Sequence, residues 1–268
     1  MTENMANKEV TRRSFLASGA KVLSGGLVIV TGVTQLLPGG KGAALGAAAG
    51  QKWADQWEEH HWGFVVDTRK CIGCGRCVRA CKEENHVPLD DHVYRTWVER
   101  YMVDTNDRVW VDSPDGGLHG FPADREDVPK PAKSFFTPKL CNQCEKPPCV
   151  RVCPVAATYR TGDGVTLVDQ ERCIGCRYCI QACPYGARFL HPELKVADKC
   201  TWCYHRITKG MLPACVQVCP VGARVFGDLE QPDSPVRAIL ESERVNVLKP
   251  AMGTEPRVYY LGLDKVVG

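Results

Sequence analysis

Sixteen cysteines in a chain of 268 residues fall into four groups of four. Their spacing decides what chemistry they can do. Cys173, Cys176, Cys179 and Cys183 are followed at once by Pro184. In a Cys-x2-Cys-x2-Cys-x3-Cys-Pro run, a tight loop offers three thiolates to one iron–sulfur cube. The helix that follows carries the fourth thiolate to a different cube. A run that cannot complete its own cluster needs a partner, and the chain supplies three more. Cys71, Cys74, Cys77 and Cys81 have the full spacing, with Lys82 in place of proline. Cys141, Cys144, Cys149 and Cys153-Pro154 have a middle gap widened to four residues, and Cys200, Cys203, Cys215 and Cys219-Pro220 one widened to eleven. Both insertions fall before the third cysteine, where a loop can bulge without disturbing the ligand positions.

Zinc is the rival metal, because Cys-x2-Cys pairs build zinc ribbons, and the fourth group alone would suit one. A four-coordinate tetrahedral site takes two such pairs and has no use for a third cysteine in tandem. Disulfides are the other rival in a cysteine-rich protein. Every cysteine here belongs to a clustered group, and no thioredoxin-like βαβ pattern surrounds any pair.

The pairing follows from the exchange of fourth cysteines. The second and third groups are neighbours, so they form one unit. One of its clusters takes Cys141, Cys144, Cys149 and Cys183, and the other takes Cys173, Cys176, Cys179 and Cys153. The first and fourth groups then form an outer unit. Its clusters take Cys71, Cys74, Cys77 and Cys219, and Cys200, Cys203, Cys215 and Cys81. All sixteen ligands are cysteine, which predicts four [4Fe–4S] clusters, no three-iron cluster and no iron with a free position.

The elements that position these ligands are short. The expected fold class is α+β: two nested ferredoxin-like units with short strands, short helices and long loops. The outer unit spans 58–100 and 190–230, the inner unit 141–189, with an insertion at 101–140 and a helix and tail at 231–268. Strands are expected at 61–67, 96–103, 108–111 and 257–261. Gly and Pro dominate 113–138, which reads as an irregular segment lying over the clusters and available to partners. Cys153-Pro-Val-Ala-Ala157, Cys183-Pro-Tyr-Gly-Ala187 and Cys219-Pro-Val-Gly-Ala223 form an internal repeat, each leading into a strand. Ser234 and Pro235 mark the start of a helix, with Ser234 as its cap.

The formal charge of +3 lies wholly in residues 1–49, where Lys8, Arg12, Arg13, Lys21 and Lys41 oppose Glu3 and Glu9. The remainder is neutral, which excludes a nucleic-acid footprint. Thr11-Arg-Arg-Ser-Phe-Leu16 has the pattern of a twin-arginine export signal. A glycine-interrupted apolar stretch and small residues suited to cleavage after Ala49 follow it; an uncleaved anchor is the alternative. This route exports folded proteins, which agrees with clusters inserted before export. Nothing after residue 50 is long and apolar enough to cross a membrane.

The other candidates are open to two readings. His205 is either a donor beside a cluster or an ordinary loop residue. His60 and His61 are either a metal pair or packing residues. Trp97, Trp110 and Trp202 read as core or interface. Basic residues in and beside the motifs, such as Lys70, Lys82, Lys199 and Arg206, either neutralise clusters or face solvent. No catalytic constellation and no G-x-G-x-x-G run is present, so a non-catalytic role is expected.

The order of the four motifs, with Cys200-Thr-Trp-Cys-Tyr-His-Arg206, resembles the four-cluster iron–sulfur subunits of dimethyl sulfoxide, polysulfide and tetrathionate reductases. It is also similar to exported iron–sulfur subunits that sit beside NrfD-type quinone-binding membrane proteins, including the Dsr-type sulfur-metabolism complex. The resemblance covers roughly residues 60–265, and is specific for clusters rather than for a substrate. It implies four clusters in a line, relaying single electrons between a quinone-reactive membrane subunit and a periplasmic partner. That partner would be a molybdopterin oxidoreductase or a multihaem cytochrome c. The protein would be peripheral to the membrane and held there by its partners. Service to a membrane-bound hydrogenase or formate dehydrogenase is the alternative.

Overall fold

In the computed structural model, residues 60–122 and 131–267 are described. The export-signal reading lies outside them. The central strand is β1 (Trp62–Asp67), whose six residues are nearly all buried. Its side chains alternate between two apolar clusters, as a strand's period of two requires. Phe64 and Val66 enter the main core with Trp202, Phe226 and Tyr260. Val65 faces the other way, onto Val236 and Leu261.

Next come α1 (Arg76–Glu84), β2 (Thr96–Val103) and β3 (Val109–Asp112). A strand, β4 (Lys133–Leu140), follows within the stretch expected to be irregular, and pairs antiparallel with β2 along its whole length. Its Pro138 lies opposite Val98. Proline fits there because β4 is the edge of a three-stranded sheet, ordered β3-β2-β4.

The remaining elements are brief: α2 (Pro148–Arg151), β5 (Thr158–Arg160), β6 (Thr166–Val168), α3 (Tyr178–Gln181), β7 (Arg188–Leu190) and β8 (Ala197–Lys199). After them stand α4 (Tyr204–Ile207), α5 (Ala214–Gln217), β9 (Arg224–Asp228), α6 (Pro235–Ser242) and β10 (Val258–Leu261). β5 and β6 form one hairpin, β7 and β8 another. β1 joins the two ends of the described residues, antiparallel to β9 and parallel to β10.

α6 begins where expected, but Ser234 makes no side-chain cap. Its Oγ is buried without a hydrogen-bond partner among the described residues, packed where a Cβ on Gly227 would lie 2.5 Å away. α2, α3, α4 and α5 are single turns of four residues. A helix that short has no stability of its own. Cys77, Cys141, Cys200 and Cys215 belong to the main core itself, so what these thiols bind bears directly on whether the core holds.

Candidate metal centres

The same backbone device recurs in all four motifs. The residue before the second cysteine has positive φ: Gly73 (68°), Gln143 (43°), Gly175 (67°) and Trp202 (55°). A left-handed residue folds the chain sharply and turns successive N–H groups toward an anionic group, the backbone concavity used at many iron–sulfur sites. Glycine adopts it freely. Gln143 and Trp202 are held there by their surroundings. Gln143 is fully buried; its Nε2 donates to the Cys200 carbonyl at 2.9 Å and its Oε1 accepts from the Thr166 N–H at 2.8 Å. Trp202 packs against Phe64 and Phe226 and lies beneath the Arg257 guanidinium.

Cys71, Cys74, Cys77 and Cys219 together line one small pocket. Cys141, Cys144, Cys149 and Cys183 together line another. Cys81 of motif one lies among Cys200, Cys203 and Cys215 of motif four, the three thiols that act on it electrostatically. Each of these groupings draws its fourth member from a different run. In the last quartet, Cys179 shares a small buried cluster with Ala197 and with Cys149 of the neighbouring quartet, and the partly buried Cys173 packs against it; Cys153 accepts a hydrogen bond from the Thr158 N–H at 3.4 Å.

The donor set fits iron–sulfur clusters. Burial, reinforced by neighbouring thiols, pushes the Cys144 thiol up to about 12 and the Cys71 thiol up to about 11. Burial likewise pushes Cys215 up to about 12. Such groups ionise together only when a compensating cation is bound. Backbone N–H groups already point at sulfur: Ala197 to Cys173, Trp202 to Cys200 and Ala223 to Cys219, at 3.3–3.4 Å.

Two buried arginines complete the fit. Arg188 lines the cavity of Cys141, Cys144, Cys149 and Cys183, and Arg224 lines that of Cys71, Cys74, Cys77 and Cys219. Each leaves one nitrogen, Nη2 of Arg188 and Nη1 of Arg224, without an oxygen or nitrogen partner among the described residues. Burial opposes both charges, yet cysteines outweigh it and hold both guanidinium pKa values above their ordinary range. Asn142 and the Thr166 hydroxyl also line the first cavity with unpartnered polar atoms. A negatively charged cluster with hydrogen-bond-accepting sulfides satisfies donors of this kind.

Motif-based reading missed both arginines. Each directly follows the Cys-Pro-x-Gly-Ala repeat, which was the signal that pointed to them. Among the cations that were singled out, Lys199 is fully buried, and its Nζ donates to the carbonyls of Thr166 and Cys200. Lys82 is buried too, but donates to the carbonyls of Pro88 and Asp91, at 2.8 and 2.6 Å. Arg206 pairs with Glu84 at 2.7 Å. The histidines take the plainer reading. His205 Nε2 contacts Glu84 at 2.7 Å, His60 Nδ1 contacts Asp228 at 2.6 Å and His61 Nε2 contacts Glu145 at 3.1 Å. No helix among the described residues is long and apolar enough to cross a membrane.

Comparison with known proteins agrees with this chemistry. A family model described as a 4Fe-4S dicluster domain matches residues 132–229, and one described as a 4Fe-4S binding domain matches residues 62–83. The sequence is 42% identical to a tetrathionate reductase subunit of Salmonella typhimurium, over 76% of its own length and 74% of the relative's. It is 47% identical to a tetrathionate reductase subunit of Archaeoglobus fulgidus, over 76% and 83%. A polysulfide reductase subunit of Wolinella succinogenes is 38% identical, over 74% of this sequence and 92% of the relative.

Proposed function

This chain is a member of the family of iron–sulfur electron-transfer subunits of tetrathionate, polysulfide and dimethyl sulfoxide reductases, and on that premise we propose that it is the relay between a quinone-reactive membrane subunit of NrfD type and a periplasmic redox partner. Its cofactors are [4Fe–4S] clusters. When bound, such clusters accept and donate single electrons at potentials set by hydrogen bonds, charge and exposure.

The sixteen cysteines make four ligand quartets in two nested units, as paired above. The observation that carries the relay is how the quartets follow one another. Cys77 of the first, Cys200 and Cys215 of the second and Cys141 of the third pack into one buried cluster. Cys149 of the third packs with Cys173 and Cys179 of the fourth into another. The quartets are therefore read as a file, starting with Cys71, Cys74, Cys77 and Cys219 and ending with Cys153, Cys173, Cys176 and Cys179. Two of the sixteen cysteines are exposed, Cys74 and Cys176, one in each terminal quartet. A file buried in its middle and open at both ends is what transfer from one partner to another requires.

The twin-arginine pattern supports a periplasmic location at the membrane surface. The other partner is a molybdopterin oxidoreductase or a multihaem cytochrome c. The test is anaerobic addition of a quinol to membranes containing the whole complex, with the clusters followed by EPR. The clusters become reduced in complete membranes and stay oxidised when the membrane partner is deleted. Reduction without that partner, turnover by the purified protein alone, or recovery from membranes with a hydrogenase alone contradicts the proposal.

A further inference from the structure

Asn85 is the first residue past α1, where its backbone N–H still bonds the Cys81 carbonyl at 3.1 Å. Its side chain turns back to the same place. Nδ2 donates to the Cys81 carbonyl at 2.8 Å, and lies 3.6 Å from Cys81 Sγ and 3.7 Å from Cys203 Sγ. A carboxamide nitrogen carries two hydrogens. One serves the carbonyl, and the other is shared between two sulfurs supplied by motifs one and four.

The amide cannot flip without loss. Arg95 Nη1 donates to Asn85 Oδ1 at 2.8 Å, which fixes oxygen outward and nitrogen toward sulfur. Arg95 is itself clamped by Asp198, through Nε to Oδ2 at 2.9 Å and Nη2 to Oδ1 at 2.9 Å. That carboxylate is almost fully buried. On its other side Asn85 borders a cavity shared with Glu84, His86, His191 and His205. The ligand sulfurs Cys153, Cys173, Cys200 and Cys219 take hydrogen bonds from backbone N–H groups instead.

We propose that Asn85 sets the potential of the cluster held by Cys81, Cys200, Cys203 and Cys215, with Arg95 and Asp198 as the positioning residues that aim its amide. The inference rests on the ligand reading above. A hydrogen bond to a ligating sulfur withdraws charge and favours the reduced cluster, so it raises the potential. A side-chain donor can be removed by substitution, which a backbone donor cannot.

The test is a redox titration of the whole complex, read by EPR. C203S first marks the signal that belongs to this cluster. N85L replaces the amide by an apolar group of similar size, which keeps water out of the vacated place. It lowers the midpoint of the marked signal, so that the ratio of reduced to oxidised cluster at a fixed potential falls about tenfold, equal to about 59 mV for a one-electron couple. R95M combined with D198N leaves Asn85 in place and no buried carboxylate unpaired. It gives a smaller shift in the same direction, and decides the matter if N85L does not assemble. An unchanged midpoint in the variants, or an equal shift in a different signal, overturns the proposal. If C203S alters no signal, the ligand assignment beneath it fails, a separate and distinguishable result.

Discussion

At the scale of single residues, the buried arginines oppose the negative charge expected at two of the four quartets. Arg188 and Arg224 are only 4% and 3% exposed, and each serves a different quartet. R188M is expected to lower the potential of the cluster at Cys141, Cys144, Cys149 and Cys183 and leave that at Cys71, Cys74, Cys77 and Cys219 unmoved; R224M does the reverse. EPR-monitored titration of both variants checks this crossed pattern.

Glu99 gives a prediction about pH. It accepts hydrogen bonds from Trp97 Nε1 at 2.8 Å and Tyr101 Oη at 2.7 Å, and pairs with Lys139 Nζ at 2.7 Å. Burial pushes its carboxyl up, but these partners outweigh burial and hold its pKa below the ordinary glutamate range. A depressed carboxyl contributes stability above its unfolded pKa and loses it as pH falls through the folded one. E99Q should therefore cost about 1–3 kcal/mol near neutrality, and the gap from the parent should close below about pH 4. Denaturant unfolding of both proteins across pH measures it.

The cysteine groups stand out in the sequence at this scale because their spacing is itself the chemistry. Arg188 and Arg224 were not, since an arginine reads as surface until its neighbours in space are known. Asn85 carried no signal beyond standing four residues after Cys81.

At the scale of elements, the motif loops depend on backbone shapes that side chains resist. Gly75, the residue before α1, has φ of 72°. A Cβ there would lie 2.2 Å from the Gly117 carbonyl oxygen. G75A is expected to destabilise the fold by more than the roughly 1 kcal/mol of a strain-free glycine change. Its iron should be lost first from the quartet containing Cys74 and Cys77, as read by iron content and EPR after mild denaturant.

Strands with period-two burial were readable in advance; β2 falls on the expected residues. β4 was hidden because Pro138 argues against a strand until it is known to lie at a sheet edge. The single-turn helices were expected from the cysteine motifs, which call for a short helix leading to the fourth cysteine; hydrophobic periodicity could not show them, because they are shorter than one repeat. The Ser234 cap misled because sequence gives the residue type and not where the packing beneath Gly227 sends its hydroxyl.

At the scale of the whole molecule, the described residues close on themselves through β1, with β9 and β10 to either side. Cys74 and Cys176 come to the surface beside exposed apolar side chains. Ile72 flanks Cys74, while Ile174 and Tyr178 flank Cys176. With a core built partly of thiols and four helices of one turn each, folding and cluster assembly are expected to be one process. Anaerobic removal of iron by a chelator should abolish the cooperative unfolding transition seen by circular dichroism, and not merely bleach the protein.

The most direct measurement is a count of iron and acid-labile sulfide, with Mössbauer spectroscopy, on the anaerobically purified protein. Four cubes ligated by sixteen cysteines predict about sixteen irons and about as many sulfides per molecule, all in [4Fe–4S] form. Zinc in place of iron, cystines in place of free ligands, or iron sufficient for two or three clusters alone would contradict the account.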